Sequence, residues 1–233
     1  MTDDTDPARR SVCGFGEMLA VLARWGVSPS AEVRQPDAVG GRTPAAADNP
    51  WFDGAVVPVG VTPPADDPLL PGCRWAVADA AAGRVKDPGI ATPCLGLDLA
   101  DLVAGDTATI EVPSLTTLGD LNERAYGQSG VFTPLVSAVR DDRRRAHGVR
   151  DGGAFVCVAL TLTLGDDLSV QYVATEESHR RQGLASRLLW SVLTAGRASG
   201  VRTATLQASP DGLGVYERLG FRRVTTLRGF RRP

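Results

Sequence analysis

The chain has 233 residues, 43% of them hydrophobic, and a formal net charge of −2. That length holds one large or two small domains with a sizeable core, and no run of about 18 apolar residues is present to span a membrane. The charge is uneven: residues 1–120 carry 8 basic and 17 acidic side chains and residues 121–233 carry 17 and 10, so the second half suits an anionic ligand.

The first residues are acidic and lack an apolar core, so they are not read as a secretory signal. Cys13, Cys73, Cys94 and Cys157 are scattered without paired spacing. This predicts a reduced, cytosolic protein with neither a disulfide frame nor a zinc site, and Cys157 as a small buried side chain within an apolar strand. Residues 11–25 read as a helix with Met18, Leu19, Leu22 and Trp25 on one face. Residues 28–50, rich in Pro, Ala, Gly and Asp, read as loop. Strand candidates follow at 51–59, 74–78 and 92–99, with a loop at 65–72 and a helix-like or loop segment before the last strand. Residues 110–114 read as a crossover, 114–126 as a helix and 131–140 as a second helix. Strands are expected at 144–149, 154–164 and 168–174, joined by turns at Gly152-Gly153 and Gly165-Asp166-Asp167.

The next stretch, Val173-Ala174-Thr175-Glu176-Glu177-Ser178-His179-Arg180-Arg181-Gln182-Gly183-Leu184-Ala185-Ser186, is a strand end, a charged turn and a helix start. The first helical turn leaves backbone N–H groups without partners, at the positive end of the helix dipole. A pyrophosphate placed there meets donors that already point at it. Gly183 has no side chain to block the approach, and Arg180 and Arg181 add charge. No Gly-Lys-Ser/Thr follows, so this is not a Walker loop, and the triple glycine of a dinucleotide fingerprint is missing. Taken alone, an ordinary strand-to-helix turn with solvated arginines reads equally well. Residues 184–198 then read as an amphipathic helix with Leu184, Leu188, Val192 and Ala195 as its stripe. Residues 201–208 alternate as a strand. A short helix over the Tyr216-Glu217-Arg218-Leu219-Gly220-Phe221 segment ends at Gly220, where a positive φ is expected, and residues 221–227 close as a strand.

Two of these segments carry a resemblance. Arg180-x-x-Gly183-x-Ala185 is similar to the Arg/Gln-x-x-Gly-x-Gly/Ala signature of the GCN5-related N-acetyltransferases (GNAT), and Tyr216 to Phe221 resembles their second signature, Tyr-Glu-x-Leu-Gly-Phe. The resemblance covers about residues 154–228 and reaches loosely back to 114. It implies a mixed α/β sheet of the acetyltransferase fold in residues 111–233. Residues 1–110 would form a smaller α+β half, either a degenerate acetyltransferase-like repeat or an unrelated cap, packed on the catalytic half to shape its acceptor cleft. It further implies acetyl-coenzyme A as cosubstrate, its pyrophosphate on Arg180, Arg181, Gln182, Gly183, Leu184, Ala185 and Ser186. The pantetheine arm would pair with Val173 and Thr175 backbone groups, the Val173 N–H polarising the carbonyl, and Tyr216 would assist the leaving thiolate.

The general base is not apparent. The strand at 169–173 has no acid. Gln171 orients but takes no proton, Glu176 and Glu177 sit in the turn, and His179 lies beside the loop. Water or a neutral acceptor would then serve, and Glu111 is a candidate for the acceptor side. The expected activity is acetyl transfer to a primary amine of a small molecule or peptide, by a monomer or homodimer with no membrane or nucleic-acid partner. Arg143-Arg144-Arg145 and Arg231-Arg232 lack the interleaved aromatics and motif spacing of a nucleic-acid binder. The alternative is a non-catalytic acyl-coenzyme A sensor.

Overall fold

The computed structural model describes residues 5–26, 29–46, 49, 51–61, 73–77, 90–128 and 130–231. Pro7 in the first turn and the Asp6 carboxylate, which accepts the Ala8 N–H at 3.0 Å, start helix α1 (Pro7–Trp25). This helix is buried on nearly every side, from Ser11 to Ala23. Trp25, expected on the buried face, is instead 38% exposed at the helix end. A Cβ at Gly14 would collide with Ser169, so glycine sets how closely α1 approaches the sheet.

The expected loop at 28–50 is corrected. It holds a hairpin of β1 (Ala31–Gln35) and β2 (Ala38–Arg42). Val33 and Ala38 point inward there, but glycine and charge around them hide the alternation. The strand candidate at 51–59 shrinks to β3 (Gly54–Val56), and β4 (Cys73–Val77) and β5 (Ala91–Asp98) follow. The loop expected at 65–72 and the segment before β5 fall outside the described residues. Helices α2 (Leu115–Tyr126) and α3 (Phe132–Ala138) precede β6 (Arg144–Asp151), β7 (Ala154–Leu164) and β8 (Asp167–Thr175). Then come α4 (Leu184–Ala198), β9 (Thr203–Gln207), α5 (Leu213–Arg218) and β10 (Arg222–Arg231). The last strand is longer than expected and starts after Phe221.

The ten strands among the described residues form one mixed sheet in the order β1-β2-β3-β4-β10-β5-β9-β8-β7-β6. Pairing is antiparallel except for β3 with β4 and β8 with β9. β5, from the first half of the chain, lies between β9 and β10 from the second. Alternation along β7 shows the two faces. Val158, Leu160 and Leu162 pack with Met18, Leu118, Leu121 and Phe132 of α1, α2 and α3. Cys157 and Ala159 pack with Leu188, Leu189, Val192, Leu193 and Tyr216 of α4 and α5. The stripe of α4 is therefore Leu188, Leu189, Val192 and Leu193; Leu184 is half-buried and Ala195 exposed.

α1 is stitched to the parallel pair. Arg10 pairs with Asp166 at 2.8 Å and donates to Thr203 Oγ1 at 2.6 Å. Ser11 Oγ donates to the Leu206 carbonyl at 3.0 Å. Beneath them the buried Asp167 carboxylate of β8 accepts the Thr203 and Thr205 hydroxyls of β9 at 2.6 and 2.7 Å. These bonds hold β8 and β9 together at one end only.

Candidate active site

The pairing of β8 with β9 runs from Asp167 with Thr203 to Val170 with Leu206 and then stops. Two irregularities turn β8 away. The register with β7 shifts between Val158 and Leu160, and Tyr172 sits at φ 49°, a left-handed backbone that a non-glycine residue rarely adopts. Beyond this bulge the Glu176 N–H donates to Val156 O at 2.9 Å, toward β7. Strand alternation then aims the N–H and C=O of Thr175 and Val173 the other way, into the gap left by β9. Both carbonyls have side-chain partners: Val173 O accepts the Tyr126 hydroxyl at 3.0 Å, and Thr175 O accepts Arg180 Nε at 3.3 Å.

β8 leads directly into the charged loop. Gly183 is the N-cap of α4 at φ 76°, and no side chain caps that helix end. A Cβ on Gly183 would meet no atom within 4 Å. The first-turn N–H groups of Leu184, Ala185 and Ser186 thus face open space. Arg181 is also left-handed, at φ 61°, and it and Gln182 are exposed. Internal bonds shape the loop: Gln182 Nε2 donates to Ser178 O and Arg187 to Gln182 O, both at 3.3 Å. Arg180 is exposed, and its Nη2 donates to Ala125 O at 2.6 Å, at the end of α2, which leaves other guanidinium N–H groups for an anion. Beside the helix start lies a cavity of about 490 Å³ bordered by Gly183, Ser186, Arg187, Trp190, Arg218 and Asp106. Arg187 and Arg218 were not singled out from the sequence. Arg187 stands one turn after Gly183 and Arg218 is the variable position of the second signature, so spacing alone held the signal.

Tyr216 lies in α5 and is 8% exposed, its ring 6.0 Å from that of Phe221. Burial pushes its phenol well above the ordinary tyrosine range, and the neighbouring Tyr126 and Cys157 push the same way. The Cys157 thiol accepts a hydrogen bond from Thr175 Oγ1 at 3.2 Å and burial pushes it up to about 11. Both groups are protonated near neutrality. Tyr126 comes from α2 on one face of the sheet and Tyr216 from α5 on the other, so the two phenols meet at the same gap. On the α2 and α3 side Tyr172 packs 4.3 Å from Phe132, which stacks on Phe52 at 5.2 Å, and the Tyr172 hydroxyl is buried with no partner among the described residues.

Most of the polar side chains considered for the proton have partners. Gln171 donates to Ser169 Oγ at 2.9 Å and to Gln207 at 3.3 Å. Glu176 is ion-paired with Arg124, Glu177 is exposed, and Glu111 pairs with Arg150 at 2.9 Å. His179 joins Ser178 Oγ at 2.8 Å and Asp151 at 3.2 Å, at the turn between β6 and β7. The structure therefore sets Val173 and Thr175 on the unpaired half of β8, with Tyr216 in the core cluster against which Val173 packs and the Gly183 helix end next along the chain, while His179 is held by Asp151 and Glu111 by Arg150. Among the described residues no cluster of three or more His, Cys, Asp or Glu is placed to hold a metal, and no helix is long and apolar enough to cross a membrane.

No curated protein matches the chain by sequence. The chain resembles a GCN5-related N-acetyltransferase from Kribbella flavida, with a TM-score of 0.61 at 18% identity over 94% of this chain and 95% of that one. A putative acetyltransferase of the GNAT family from Novosphingobium aromaticivorans gives 0.57 at 19% identity, over 97% and 99%. A functionally unknown conserved protein from Staphylococcus epidermidis gives 0.56 at 11%, over 88% and 94%. At these identities the likeness is one of fold. The family described as acetyltransferase (GNAT) domain matches residues 136–231, from the end of α3 through the parted strands to β10. That stretch of the chain is a GNAT acetyltransferase domain, set in a mixed α/β fold that the chain shares over nearly its whole length with GNAT acetyltransferases.

Proposed function

We propose that the protein is an acetyl-coenzyme A-dependent N-acetyltransferase acting on a primary amine of a small molecule or peptide. The observation that carries this reading is the gap between β8 and β9, with the free edge of Val173 and Thr175 on one side and the uncapped, unobstructed helix end at Gly183 beyond it. The residues fit the cosubstrate. An extended pantetheine arm adds to a free strand edge, and a pyrophosphate suits N–H groups at a helix start. Acetyl-coenzyme A would bring the activated acetyl group as a thioester.

The chain's own groups supply the rest. The Val173 N–H points into the gap and is the donor for carbonyl oxygen as charge develops on it. Tyr216, kept protonated by burial, donates a hydrogen bond to the sulfur that leaves. The new bond joins amine nitrogen to acetyl carbon, the carbon–sulfur bond breaks, and the proton lost by nitrogen goes to water. Residues 1–110 are assigned the role of shaping the acceptor side, through Phe52 and α1, without binding the cosubstrate.

The lack of an acidic residue over residues 169–173 also favours a second reading, a module that binds acyl-coenzyme A without turning it over. Incubating the purified protein with acetyl-coenzyme A and an amine library, with thiol release as readout, separates the two. Release above the rate of thioester hydrolysis for at least one amine supports the enzyme. Tight binding without release for any amine supports the module.

A further inference from the structure

Tyr126 is the last residue of α2, followed by Gly127 at φ 63°. It is 51% exposed, an unusual setting for a large ring whose hydroxyl makes a specific bond. That bond is to Val173 O at 3.0 Å, and the same hydroxyl interacts with Ser209, which follows β9. The side chain therefore bridges the two strands at the point where they part. Beside it the Arg180 guanidinium links Thr175 O to Ala125 O, and Arg124 pairs with Glu176. The end of α2 is thus fastened along the free half of β8 by Arg124, Arg180 and Tyr126. Of these three, Tyr126 also reaches the β9 side, at Ser209.

We propose that Tyr126 is a specificity-determining residue of the cosubstrate slot, holding the Val173 carbonyl until a ligand with its own amide donor displaces it. The inference rests on the proposed function. Val173 O faces the gap and is the acceptor that a pantetheine amide needs, so hydroxyl and amide compete for one oxygen. A ligand with a pantetheine arm replaces the bond that it breaks. A ligand with only the nucleotide end has nothing to offer Val173 and leaves Tyr126 in place. The side chain can swing away readily: it is at a helix terminus, ahead of a glycine, with half its surface in solvent.

The test is calorimetric titration of the wild type and of Tyr126→Phe with coenzyme A and, separately, with adenosine 3′,5′-bisphosphate, which lacks the pantetheine arm. Phenylalanine keeps the ring and removes the competing donor. Coenzyme A is expected to bind about two- to tenfold more tightly to Tyr126→Phe, the worth of one net hydrogen bond. The bisphosphate is expected to bind both proteins alike. Unchanged or weaker coenzyme A binding by the variant overturns the proposal, and so does an equal shift for both ligands, which would signal a general change of the site. A wild type that binds neither ligand refutes the proposed function itself. Matching thermal melts of the two proteins, within a few degrees, confirm that the comparison is between folded states.

Discussion

Tyr216 differs from phenylalanine by one oxygen, and the structure places that oxygen at the gap rather than in solvent. Tyr216→Phe conserves the ring that packs on Phe221, so its effect should fall on turnover. With acetyl transfer rate-limiting, kcat is expected to drop by about 10²- to 10⁴-fold, with coenzyme A affinity nearly intact. Because burial raises the phenol, its protonated form persists well past neutrality, and a rate measured against pH should show no alkaline loss from Tyr216 near pH 8–9. Gly183 acts through space and backbone together. Valine there would project a side chain into the open space where we propose that the pyrophosphate sits, and would be strained at φ 76°. Cosubstrate affinity measured by calorimetry should fall at least about tenfold in Gly183→Val, an effect of about 1.4 kcal/mol; equal affinity would remove the loop from the site.

Helix α3 has no N-cap side chain of its own. Its first turn is satisfied from α2, where the Glu123 carboxylate accepts the N–H groups of Gly130, Phe132 and Thr133 at 2.9, 2.7 and 2.9 Å. Burial alone would raise this carboxyl, but the Thr133, Gly130, Phe132 and Val131 backbone donors outweigh it and hold the pKa below the ordinary value. A lowered folded-state pKa means stability that is present above the unfolded value of about 4.3 and lost as pH falls through the folded one. Glu123→Gln is therefore expected to cost about 1–3 kcal/mol at pH 7, with the gap to wild type narrowing in urea melts below about pH 4. Elements with strong periodicity or sharp punctuation, α2, β7, β8 and α4, were legible in the sequence because side-chain pattern and turn residues agreed. The β1–β2 hairpin was not, since Gly40 and Gly41 serve close packing there while composition signals loop. In the site, the Gly183 turn and Tyr216 showed in local spacing. Tyr126 did not, because its bond to Val173 joins residues 47 apart in sequence and no periodicity encodes such a contact.

At the scale of the whole molecule, the two halves of the chain share one sheet. β5 fills the place between β9 and β10, and α1 lies across the parallel pair that opens into the site. A fragment of residues 111–233 would lack that strand and that helix, leaving edges of β9 and β10 unpaired and Leu206 and Leu227 uncovered. It is expected to be insoluble or unfolded, as judged by circular dichroism and gel filtration, whereas a well-folded fragment would show that the second half stands alone. The same interleaving governs how the molecule is made. Residues 73–77 and 91–98 emerge from the ribosome long before residues 222–231, the strand that pairs with both. Neither β4 nor β5 can close against β10 until almost all of the domain has been translated, so two apolar strands must wait with open edges. Refolding from denaturant, followed through the buried Trp75 that pairs with Gly229, should accordingly run in milliseconds to seconds rather than microseconds. In the cell that delay is the interval in which a holding chaperone would decide between folded protein and aggregate.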